Sequence, residues 1–130
     1  MESTSFGLAR IVESSFDGTV DAVRNALKAE GFSVICEIDM QAMLKDKLGV
    51  AFRRCLILGA CNPPLTHRAL LAEPDVSLLL PCNVVVSETD DGVQVNALNV
   101  AALVSGFDNV VLADVAHEIS VRLQRIVDEV

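Results

Sequence analysis

The chain has 130 residues, a length that suits one domain. Hydrophobic residues make up 52% and charged residues 22%, which is ample material for a core and too little charge for a disordered tail. With 10 basic and 18 acidic residues the net charge is −8, and Trp and Tyr are absent, so neither nucleic acid nor an anionic membrane is expected as a partner.

The opening Met1-Glu2-Ser3-Thr4-Ser5 has no basic segment followed by an apolar one, so no signal peptide is expected. No apolar run approaches the roughly 18 residues of a membrane span. Alternation from Phe6 to Glu13 predicts a strand. Ser15 or Asp17 then offers an N-cap, and Phe16, Val20, Val23 and Leu27 lie on one face of a helix over 16–30 that Gly31 closes. Phe32, Val34, Cys36 and Ile38 read as one face of a strand. Asp39 caps a short helix whose stripe is Met40, Met43, Leu44 and Leu48, closed by Gly49.

Arg53 to Cys61 reads as a buried strand, apolar on both faces over Cys55-Leu56-Ile57-Leu58. Asn62-Pro63-Pro64 stops it and starts a helix to about Ala72, because a residue before proline takes the extended geometry of an N-cap and proline suits the first turn. Val76 to Leu80 is short and apolar and ends at Pro81. Cys82 to Glu88 and Val93 to Leu98 form a hairpin around Asp90-Asp91-Gly92. Asn99 caps a short helical segment, Gly106 to Asn109 is a loop, and 110–129 is a long amphipathic helix. The reading is a single α+β domain over 1–130, a two-layer sandwich whose mixed or mostly antiparallel sheet has helices packed on one face. Parallel and antiparallel pairing of the strands that carry Cys61 and Cys82 both fit.

The cysteines stand at 36, 55, 61 and 82 with no CxxC pair, so free thiols in a reducing cytoplasm are expected, with no disulfide framework, no metal and no cofactor. Two similar fragments carry the candidate chemistry: Gly59-Ala60-Cys61-Asn62-Pro63-Pro64 and Leu80-Pro81-Cys82-Asn83. Cys61 precedes a helix start, where the dipole favours a thiolate, and His67 sits about one turn into that helix. Cys61, Asn62, His67, Cys82 and Asn83 are therefore the candidate ligand-binding set. The plainer account is that Asn62 caps, Cys61 is packed in a strand and His67 is solvated. Cys61, Cys82 and His67 would also make a three-ligand metal site if the two strands met, although no close-spaced pair anchors one. Cys55 and Cys61 are roughly 20 Å apart along one strand and cannot share an ion. His117 falls opposite the apolar stripe of the last helix. Arg53-Arg54 reads as an edge charge or an anion site. No Gly-rich phosphate loop and no Ser-centred nucleophile elbow is present.

The run from Glu37 to Glu88 resembles the domain of unknown function 302 family. The fragments that carry the resemblance are Gly31-Phe32, Ile38-Asp39-Met40, Leu48-Gly49, Ile57-Leu58-Gly59-Ala60-Cys61-Asn62-Pro63, Glu73-Pro74 and Leu78 to Val86. It implies a compact α+β domain and a dimer, and it implies no activity and no catalytic residues. The functional expectation is a small soluble, non-catalytic ligand-binding or interaction protein that acts as a homodimer. The alternative is a thiol-dependent redox or transfer activity centred on Cys61 with Cys82 and His67. The sequence leaves open whether any reaction is catalysed.

Overall fold

Six strands form one antiparallel sheet among the described residues. The structure, a computed structural model, describes residues 2–3 and 6–130, with side chains from Phe6 onward. The stretch Met1–Ser5, read above for a leader, lies outside the described residues apart from the backbone of Glu2 and Ser3. Among the described residues the strands are β1 (Glu2–Ser3), β2 (Gly7–Val12), β3 (Ser33–Asp39), β4 (Cys55–Cys61), β5 (Cys82–Thr89) and β6 (Gly92–Leu98). Their order in the sheet is β1-β2-β6-β5-β4-β3, and every neighbouring pair is antiparallel. The strands bearing Cys61 and Cys82 thus pair antiparallel, with Ala60 opposite Cys82.

The helices are α1 (Phe16–Ala29), α2 (Met40–Leu48), α3 (Pro63–Ala72), α4 (Val100–Leu103) and α5 (Val110–Glu129). Each starts at a side chain that accepts a backbone N–H left without an intrahelical partner: Ser15 from Gly18, Asp39 from Ala42, Asn62 from Leu65, Asn99 from Ala102 and Asn109 from Leu112. Gly49 ends α2 in the left-handed conformation, at φ 66°. The apolar segment after α3 is a 3-10 helix, Pro74–Leu79, which leads into a cis Leu80–Pro81 bond.

The helices and the sheet bury one side in common. Leu58 and Ala60 of β4, Val84 and Val86 of β5, and Val95 of β6 are fully buried, as are Leu27 of α1 and Leu123 and Ile126 of α5. Arg10 of β2 faces this side as well. Its guanidinium donates to the carbonyls of Val127 (3.3 Å) and Asp128 (2.6 Å), closing the C-terminal end of α5 where a cation suits the dipole.

Two details differ from the sequence reading. Phe32, Val34, Cys36 and Ile38 do not share a face, because the register shifts between Val34 and Cys36. Val34 pairs with Ala60 toward the helices, whereas Cys36 and Ile38 pair with Gly59 and Ile57 on the other side, and the extra residue, Ile35, is 61% exposed. Nor is β4 buried on both faces: Leu56, Leu58 and Ala60 lie under the helices, while Ile57 is only half-buried on the side that no helix covers.

Candidate functional site

The five candidate residues sit around the junction of β4, α3 and β5, but they do not converge on one point. Asn62 is buried and engaged at both ends of its amide: Oδ1 accepts from Leu65 N (3.3 Å) and Nδ2 donates to Glu30 O (3.3 Å). It joins the start of α3 to the end of α1. Asn62→Ala is expected to destabilise the fold by about 1–2 kcal/mol, from one lost cap and one lost bond to Glu30 O, which keeps its bond from Arg122 Nη1 (2.9 Å), measurable by urea denaturation. The Cys61 thiol donates to Thr66 Oγ1 (3.2 Å). His67, next along α3, is exposed.

Cys61 and Cys82 lie near one another on adjacent strands, but alternation turns their side chains to opposite faces. Cys82 is buried among apolar side chains, and that burial, with a smaller effect from the neighbouring Cys61, pushes its thiol up to about 11. Asn83, the next residue, projects exposed on the uncovered face. Cys55 is also raised, by burial first and then by Asp39. Among the described residues, no group of three His, Cys, Asp or Glu is placed to hold a metal ion.

A raised thiol favours the folded state only while that thiol stays protonated. From the ordinary 9.0 to about 11 the unfolded chain releases the Cys82 proton and the folded chain keeps it, so stability falls across that window. Two pKa units correspond to about 3 kcal/mol. Cys82→Val is expected to flatten the decline in unfolding free energy between pH 9 and pH 11 relative to wild type. Alkylation of the native protein at neutral pH should modify the buried Cys82 last of the four thiols.

The second feature is the uncovered face itself. Reading the register across the sheet, one row runs Ile38, Ile57, Val85, Asn96, Ala9 and the next runs Cys36, Gly59, Asn83, Leu98, Gly7. A third row holds Cys55, Ser87, Gln94 and Ile11. From β2 to β3 none of these side chains is Asp, Glu, Lys or Arg. The charged residues of strands β2 to β6, which are Arg10, Glu37, Asp39 and Glu88, all alternate to the helix side. Such a face is normally solvated and polar. Here Ile11 and Ile38 are 41% and 42% exposed. Beside them Asn96 Oδ1, tucked against Gly7, is buried without a hydrogen-bond partner among the described residues. The sequence signal for this face was present: β2, β4, β5 and β6 each alternate without a charge on their outward positions.

Gly59 is another point of close approach on this face. A side chain there would collide with Cys36 Sγ and with the ring of Pro81 (2.9 Å), so the thiol and the ring occupy the notch together.

No helix of the described residues is long and apolar enough to cross a membrane. The profile of the family described as domain of unknown function DUF302 matches residues 9–130, and the chain belongs to that family. Among solved structures, the chain is similar to an uncharacterized conserved DUF302 protein from Bacillus stearothermophilus. The two are 27% identical, with a TM-score of 0.89 over 95% of this chain and 97% of that one. No curated protein matches the chain.

Proposed function

We propose that this member of the DUF302 family is a homodimeric binding module, joined through the uncovered sheet face and acting by interaction rather than by catalysis. The observation that carries the reading is the absence of charge on that face in a chain whose net charge is −8. Depletion of charge, more than bulk hydrophobicity, marks the core of a protein interface. Two copies of an acidic chain repel each other, and this face lets them meet without opposing carboxylates. Five strands about 4.8 Å apart, each about seven residues of 3.3 Å, give a face of roughly 500 Å². A pair of such faces buries about 1,000 Å², the lower bound of a specific interface.

The thiol-dependent reading has less support, because its second cysteine is buried with its thiolate disfavoured and Cys61 is bonded to Thr66 rather than His67. Four unpaired thiols suit a cytoplasmic setting. Light scattering coupled to size exclusion tests the proposal: a mass of twice 13.9 kDa supports it, and a single-chain mass at high micromolar concentration overturns it.

A further inference from the structure

On the helix side of the sheet, a cleft of about 270 Å³ opens between α1 and the start of α2. Phe16, Val20 and Leu56 give it an apolar floor, and Arg24, Arg54, Asp17 and Asp39 line it with charge. We infer that this cleft binds a small zwitterion the size of a free α-amino acid.

The charge pattern selects the class. Two guanidiniums and two carboxylates line the cleft in equal number and intermixed, so a ligand with one charge always has a like charge close by. A zwitterion can meet both signs. The cation side is already positioned: Arg54 stacks 4.0 Å over the Phe16 ring and donates to Asp17 Oδ1 (2.8 Å). A guanidinium has five N–H donors, so this bond leaves donors for a ligand carboxylate. Arg24 is paired with Glu37 beside the cleft. On the anion side, Asp39 Oδ1 caps α2 at Ala42 N (3.0 Å), and its second oxygen, with the exposed Asp17 carboxylate, suits an ammonium.

Volume sets the size. At about 30 Å³ per water the cleft holds about nine waters, room enough for a free amino acid. The apolar floor favours an aliphatic side chain. The cleft opens on the helix side and shares only Cys55, at the edge of the sheet, with the proposed dimer face, so the two readings are tested separately.

Titration of the isotope-labelled protein with L-leucine, followed by amide chemical shifts, tests the inference. The free amino acids are then added one at a time, with isovalerate and isopentylamine as singly charged controls. The expected result is saturable shifts confined to residues 16–24, 39–41 and 54–56, with both controls at least about tenfold weaker. Arg54→Gln and Asp17→Asn should each weaken binding by about tenfold or more, with the elution position and melting temperature retained. No saturable shift with any amino acid, equal binding of isovalerate, or undiminished binding by both variants overturns it. A change in elution position with unchanged titration would speak to the dimer alone.

Discussion

Val85→Lys is expected to convert the protein from a dimer of twice 13.9 kDa into a monomer, with its circular dichroism unchanged. Val85 lies midway along β5, the middle strand of the five that form the uncovered face, between Ile57 on one side and Asn96 on the other. In a single chain it is half-buried and points away from the helices, so a lysine stem can lie along the sheet with its ammonium in water. In a face-to-face pair the same ammonium is held against apolar side chains, and an unpaired charge there costs several kcal/mol, at least a hundredfold in affinity. Sedimentation over a range of concentrations measures it. A variant that remains dimeric with wild-type affinity would remove this face from the interface and leave the exposed side of α2, with Met43 and Leu48, as the next surface to test.

Most of the architecture was legible because its signals are local. The caps at Asp39, Asn62 and Asn99, the hairpin and the long stripe of α5 each need only neighbouring residues. Asn62 before two prolines is the clearest case: residue type and geometry agree before any tertiary contact is known. The bulge at Ile35 was not legible, because a register shift depends on what β4 presents opposite, and that is a long-range fact.

The candidate site was half legible for a related reason. The sequence put Cys61 at the end of one strand and Cys82 at the start of another and left their pairing open, and only the antiparallel register shows that their thiols leave the sheet in opposite directions. The charged cleft was less visible still. Arg54 was marked as an edge charge or an anion site, whereas Asp17 and Phe16, its partners, lie 37 and 38 residues earlier in the chain.

The two faces of β4 predict opposite responses to the same kind of truncation, and this gives the second large effect. Leu58 is fully buried in the core, and Leu58→Ala removes three side-chain carbons from a packed site. The expected loss is about 3 kcal/mol, within the usual range for a leucine cavity, and a fall in melting temperature of about 10 °C. Ile57, its neighbour in sequence, points to the uncovered face against Ile38 and Val85. Truncating it in the single chain costs about 1 kcal/mol, because water already reaches part of it. In the dimer it forms part of the contact, so its loss shows as weaker association, and apparent stability then depends on protein concentration. Measuring both truncations in the Val85→Lys background separates the terms. There Leu58→Ala should keep its full penalty and Ile57→Ala should cost only about 1 kcal/mol, with no dependence on protein concentration. An equal penalty for both in that monomer would mean that the face is covered by the chain's own residues, and the dimer proposal would lose its surface.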